Sequence, residues 1–402
     1  MRTAPPRSKR GLFVRLGILS LVFGALLVVW LRDEAPSDDS DLVPPSPESI
    51  PDSDNALSAL IAAEALVVTP PGWVHLADRD PGALIVDETI ASAMAANRSY
   101  FSAVDAALAR PRCRVAPVRS IGDGMDHIEP LRICADWNSD RVRWRLHRGE
   151  IAEAVEVWDR WAGALSDLAS EPAALIDSLF QRARFLDLMD EARLLAESPG
   201  IESSHLARLQ ARLAGFPDPF DVFPTLLRRE YILMSQSLTE GIEELGLDTL
   251  MYKPNATRRK YAEQVRRQVR AFEERDLSLL DTQYEPPSTI RTLLGGNYTG
   301  ESLLSILASV NTGMYRSTQR HVETWILHRV ALAIRRFEVD HGRWPETIDG
   351  LVPTALEPGV LERLDLPIIL DRDARWVGFD RPADLEPTAA PGIGVGSSSD
   401  EL

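Results

Sequence analysis

The chain reads as a mainly α protein: an N-terminal transmembrane helix, a helical-hairpin body and a small C-terminal α+β module of helix plus β-hairpin. Three observations predict this. An uncharged apolar run, Leu16 to Leu31, stands near the N-terminus. Long stretches behind it repeat apolar residues every three or four positions. Near the C-terminus two short apolar runs flank a polar turn in LPIILDRDARWVGFD. The 402 residues suffice for a substantial core, and 45% apolar with 26% charged residues is a globular composition, so global disorder is excluded.

Residues 1–10 form a basic segment and residues 11–32 the anchor. Counted from Leu12, about 20 residues at roughly 1.5 Å each approach the ~30 Å of bilayer hydrocarbon. Arg15 can snorkel toward the head groups, and Trp30 can sit at the far interface. Arg2, Arg7, Lys9 and Arg10 precede the span, so the positive-inside rule predicts a cytoplasmic N-terminus and an exported body. A cleaved signal peptide is the competing reading, with Ala35 and Ser37 as a poor cleavage site behind intervening charges. Either way the body lies outside the cytoplasm, and the expected address is the bacterial inner membrane, with a single span and a periplasmic body.

The net charge is −16, although the first 32 residues carry six basic and no acidic side chains. The remainder is therefore strongly acidic and should repel nucleic acid, which rules that partner out. Residues 33–54, with five prolines and eight acidic side chains, predict an extended solvated spacer. Residues 382–402 predict a disordered tail.

Residues 55–300 read as a helical body. Leu57, Leu60, Ile61 and Leu66 suggest a first helix after Asp54, and TIASAMAANRSYFSAVDAALA a second. WRLHRGEIAEAVEVWDRWAGAL has the pattern of a helical hairpin turning at Gly149, with Ala154 and Trp158 on the packing face. No glycine-centred copy follows at the repeat distance, which favours a single helical hairpin over a repeat array. A later helix opens near Ser170 and Pro172, should pack through Leu175, Leu179, Ala183 and Leu186, and closes at Gly200. FPTLLRREYILMSQSLTEGIEEL and ATRRKYAEQVRRQVRAFEERDLSLL continue the helical series. Cys113 and Cys134 are candidates for a disulfide, which suits an exported body; a loop of about 20 residues closed this way is worth roughly 3 kcal/mol. Two buried thiols are the alternative.

Residue patterns for chemistry are scarce. GGNYTGES, residues 295–302, departs from a phosphate loop at Glu301, where a lysine must supply charge, and fits a glycine-rich turn before a helix. His321 and His328 share a helix face without a third ligand at matching spacing. No serine or cysteine has the context of a nucleophile. Asn97, Asn255 and Asn297 begin N-x-S/T triplets that read as accidental. Neither catalytic, cofactor-binding nor metal-ligating residues stand out, and no cofactor is expected.

Residues 301–381 hold the most complete pattern. Val322, Ile326, Val330, Ala333 and Phe337 make an apolar stripe on a helix from about Ser317. Gly342 stands where a left-handed C-cap is needed, and Trp344 can cover the last turn. Pro345 suits the start of a short helix in which Ile348 and Leu351 point inward. This order resembles the globular part of type II secretion major pseudopilins, with Asp340, Gly342, Arg343, Trp344, Pro345, Gly350 and Leu351 at the matching positions and Trp344 replacing the usual tyrosine. It covers about 60 residues. A pseudopilin begins with a G-F-T-L-x-E segment continuous with that helix, whereas here Gly11-Leu12-Phe13-Val14-Arg15 lies some 300 residues upstream. Asp371 and Asp373 lack the further oxygen ligands of the family's calcium loop. The layout, including PRCR, YKPNATRRKYAE and the D-H-G-R-W-P ending, also resembles a group of uncharacterised bacterial membrane-anchored helical proteins.

The expected role is a membrane-anchored scaffold or binding protein of the cell envelope with protein partners there. The resemblance implies, as an alternative, an accessory component of a type II secretion or pilus-like machine. An envelope enzyme whose site is assembled from distant residues is the third reading. Sequence leaves the oligomeric state open.

Overall fold

The computed structural model describes residues 20–21, 32–76, 87–118, 125–245, 252–280, 297–308, 311–352, 356, 359–361, 367–371, 375–379 and 393–395. The expected basic segment and anchor, apart from residues 20, 21 and 32, lie outside them. Among the described residues no helix is long and apolar enough to cross a membrane. The protein is mainly helical, with a small antiparallel sheet near its C-terminus. It divides into two compact units, Pro45–Leu226 with Tyr315–Leu402, and Met1–Pro44 with Leu227–Met314.

In the larger unit helix α1, Ala56–Glu64, is capped by Asn55, whose side chain accepts from Leu57 N at 3.2 Å. Asn55 also accepts from Arg114 N at 3.0 Å and donates to Arg114 O at 2.9 Å, pinning the PRCR segment beside the helix start. Helices α2, Asp87–Ala96, and α3, Arg98–Leu108, follow. The predicted hairpin is α4, Ile128–His147, and α5, Ile151–Ser170, with Gly149 at φ +73 between them. A left-handed residue there suits glycine, which has no Cβ to clash. Ala154 and Trp158 are fully buried on α5 as expected, and Trp158 Nε1 donates to Leu188 O at 3.0 Å. That bond joins α5 to α6, Leu175–Glu197.

The packing face of α6 differs from the one its apolar residues predict. Leu179 and Leu186 are exposed, whereas Asp177, Gln181, Phe185, Leu188, Ala192 and Leu195 are buried. The buried stripe has proper helical spacing, but its polar members disguise it in sequence. Asp177 is satisfied by His127 Nε2 at 2.6 Å, so its burial is compensated. Gly200, at φ +85, closes the segment as predicted. Helix α7, Ser203–Ala214, packs on α5, where Arg208 and Arg212 meet Asp159 at 2.7 and 2.6 Å.

Cys113 and Cys134, expected to be bridged, are buried free thiols. Burial raises both thiol pKa values, that of Cys134 to about 12, and each fills core volume as a small apolar group. Asn97 is fully buried, exchanging hydrogen bonds with the backbone of Val68.

Helix α8 covers Pro219–Leu245, α9 Pro254–Glu273, α10 Tyr298–Ala308 and α11 Asn311–His341. The D-x-G-R-aromatic-P passage follows α11. Gly342 has φ +65, and its N–H donates to Glu338 O at 2.8 Å. Asp340 lies near Arg336, Arg343 near Glu346, and Trp344 is buried. The short helix expected from Pro345 is instead one 3-10 turn, Asp349–Leu351, which includes Gly350 and buries Leu351. Strands β1, Ile368–Asp371, and β2, Trp376–Phe379, form the predicted hairpin, with Asp371 opposite Trp376. Arg375 ties it to the helix: it donates to both Glu338 oxygens at 2.8 and 2.9 Å and stands 5.0 Å from the Trp344 ring. The tail expected to be disordered contributes a third strand, β3, Ile393–Gly394, paired with β2, and Arg375 Nε donates to Val395 O at 3.1 Å. Asp373 lies outside the described residues.

In the smaller unit the expected spacer is docked along part of its length. Asp33 accepts from the N–H groups of Asn255 and Ala256 at 2.8 and 3.2 Å, capping α9 from outside its own sequence. Glu34 pairs with Arg259 at 2.5 Å. Asp39 is buried, accepting from Tyr231 Oη and from Arg258 Nε at 2.9 Å. Asp41 holds Arg266 by two bonds of 2.7 Å. The acidic run is long-range counter-charge for the basic face of α9, which composition alone could not show. Asn297 and Glu301 of the glycine-rich turn are also used structurally. Asn297 accepts from Lys253 N at 2.8 Å and Glu301 pairs with Lys260. At Gly300 a Cβ would collide with Thr257 and Asn297, so glycine permits α10 to approach α9. Replacing Asp33 by Ala should remove about 1 kcal/mol from the start of α9. Faster amide hydrogen exchange at Asn255 and Ala256 than in the unchanged protein would show it; equal exchange would refute the cap.

Candidate functional site

Two helices of the larger unit place polar residues on facing stripes. On α4 these are Arg132, Asp136, Ser139 and Arg143, and on α6 they are Arg184, Asp187 and Glu191. The spacing of three, four and seven residues keeps each set on one side of its helix. His75 and Trp161 complete a cleft of about 300 Å³. That volume is at the lower end of small-molecule sites.

His75 is held by Asp140. Nδ1 lies 2.7 Å from Oδ2 of this carboxylate, which has no exposed surface and also accepts from Trp73 Nε1 at 3.2 Å and Leu76 N at 2.6 Å. A carboxylate with these donors fixes the ring and its tautomer, with the proton on Nδ1. Trp137 buttresses the arrangement, stacked on Trp73 at 5.5 Å and edge-on to His75 at the same distance. Arg132 and Arg184 converge on Asp136 at 2.9 and 2.7 Å, and Arg184 reaches Asp187 at 3.2 Å.

The other groups are not matched in this way. Arg143 makes no ion pair among the described residues, and its Nε is buried without a hydrogen-bond partner. Arg184 Nε is orphaned likewise. Native proteins leave few buried polar atoms unsatisfied, so two guanidinium nitrogens at one cleft mark a place where something else supplies acceptors. Glu191 is 4% exposed. Burial pushes its carboxyl up to about 7, with the charges of Asp187 and Asp140 acting in the same sense and Ser139 and Arg143 opposing them. A group that is half ionised near neutral pH can donate or accept a proton.

None of the residues singled out in the sequence lies here. Cys113 and Cys134 sit in the core, and Asp340 to Leu351 form the junction between α11 and the sheet. The signal overlooked was polar: Arg132, Asp136, Ser139 and Arg143 recur at helical spacing in a helix whose opposite side is apolar. His321 and His328 are both buried, and His328 Nε2 is 3.8 Å from Asp190. Among the described residues no group of three or more His, Cys, Asp or Glu side chains is placed to hold a metal ion. No family model matches the chain, and neither a curated protein nor a solved structure does.

The shift at Glu191 has a signed consequence. An acid whose pKa is raised from 4.5 to about 7 on folding binds more protons in the native than in the unfolded state between those values. Its contribution is therefore complete below pH 4.5 and lost as pH rises through 7, a change on the order of 3 kcal/mol. Glu191→Gln should remove this slope, so that the difference in urea midpoint between pH 5 and pH 8 shrinks. An unchanged difference would mean that Glu191 ionises as it does in the unfolded chain.

Proposed function

We propose that the protein is a membrane-anchored binding protein of the bacterial cell envelope, with a single inner-membrane span, a cytoplasmic N-terminus and a periplasmic body, and that the cleft between α4 and α6 takes a small anionic ligand. One observation carries the ligand reading: Arg143, which makes no ion pair among the described residues, shares the cleft wall with Arg184, and the Nε of each is buried without a hydrogen-bond partner. An anionic group in the cleft would supply acceptors to both guanidinium groups, and charge-assisted bonds to guanidinium are the stronger kind. The apolar run and basic flank at the N-terminus support the membrane address.

An envelope enzyme is the second reading, supported by Glu191 and by the His75–Asp140 pair on the same cleft. Such a site would pair a carboxyl poised near neutral pH with an oriented imidazole.

Native mass spectrometry of the full-length protein released from inner membranes tests the ligand. A small anion should accompany the wild-type chain and be lost from Arg143→Gln at unchanged secondary structure; equal retention by both would sink the cleft. The address has a separate test, in which a reporter active only in the periplasm, fused after Asp54, should be active. Activity there of a cytoplasm-dependent reporter alone would refute export.

A further inference from the structure

A second pocket of the larger unit has the opposite character. It lies between α6, the first turn of α8 and α11, and its walls are Phe185, Phe216, Val222, Phe223 and Trp325. Phe185 organises them, with ring centres 4.3 Å from Phe216, 5.1 Å from His321 and 6.2 Å from Trp325. Trp325 is fixed by its Nε1 bond to Leu213 O at 3.0 Å.

Two cationic or potentially cationic side chains line this apolar space. Arg182 has no hydrogen bond or ion pair among the described residues, and burial alone pulls its guanidinium down to about 10. His321 is 7% exposed, and its Nδ1 is buried without a hydrogen-bond partner. Burial, and then the charge of Arg182, holds its pKa down at about 3, so the ring is neutral at pH 7. Among the described residues no carboxylate lines the pocket. Arg182 is half-buried, and a partly desolvated guanidinium is stabilised when an anion pairs with it.

We propose that this pocket is a binding site for a short-chain monocarboxylate, its carboxylate on Arg182 and His321 and its hydrocarbon tail among the phenylalanines. The charge favours an anion. The neutral imidazole offers one N–H as donor, and the aromatic walls favour an alkyl tail over a hydrated dianion such as phosphate. Size sets the tail: the cavity holds about 50 Å³. At roughly 10–15 Å³ per water-sized occupant, this is room for about four non-hydrogen groups inside, so a tail of two or three carbons extends in part into the open mouth of the pocket. The site shares no residue with the cleft between α4 and α6 and does not rest on the function proposed for it.

Thermal unfolding of the full chain in a non-ionic detergent, in a carboxylate-free buffer at pH 7, tests the site. Sodium butyrate at about 10 mM, well above an expected millimolar Kd, should raise the melting midpoint, while sodium chloride at the same concentration should not. Arg182→Gln should abolish the response and start from an equal or higher midpoint, since it removes an unpaired, half-buried charge. Should that variant fail to fold, Val222→Phe provides the second arm, filling the cavity without touching the polar groups and eliminating the butyrate response. A butyrate shift retained in either variant, a chloride shift as large as that of butyrate, or no wild-type response would overturn the proposal.

Discussion

Asp140 carries a formal charge in the middle of helix α4 and exposes none of its side chain to water. A carboxylate in that position is tolerable only when donors meet it, and here they come from 64 to 67 positions upstream: the Trp73 indole, the His75 ring and the Leu76 backbone. The bonds hold an otherwise irregular segment against the helix. They bring His75 to the cleft and set Trp73 on Trp137. Removing the carboxylate would leave three donors unsatisfied and release that whole wall.

The same solution recurs at other buried carboxylates. Asp177 is met by His127, Asp159 by Arg208 and Arg212, and Asp39 by Tyr231 and Arg258. Because these pairings are complete, the exceptions are informative. Arg143 and Arg184 keep orphaned atoms on one cleft, and His321 does so in one apolar pocket beside the unpaired Arg182. The two places differ in chemistry. The cleft offers several guanidinium groups, a titratable carboxyl and polar walls, whereas the pocket offers one charge and hydrocarbon. Different ligands follow from that contrast.

The C-terminal module shows how far local signals reach. The apolar stripe before Gly342, the glycine at the helix end, the buried Trp344 and the two strands were all legible, since each rests on residues within a few positions of one another. The helical turn at Pro345 shortened to a single 3-10 turn. Strand β3 was not legible: Ile393–Gly394 is too short and too rich in glycine to register as a strand, and it forms because β2 presents a free edge. In α6 the error had another source. Leu179 and Leu186 advertised a packing face, but Asp177 and Gln181 occupy the real one, and a polar residue whose partner lies 50 positions away reads as surface.

What sequence alone determined were the properties that a few neighbouring residues settle: helical periodicity, the reversal at Gly149, the stop at Gly342 and the two apolar runs about a polar turn that make the hairpin. Tertiary structure decided which buried charges meet. Asp33 to Asp41 looked like a solvated spacer because their acidity and prolines exclude collapse on their own, yet Arg258 and Arg266, more than 200 positions later, supply the counter-charge that docks them. Both candidate sites belong to this second class. Their residues come from helices whose register relative to one another is set by packing, and no spacing within a single segment encodes it.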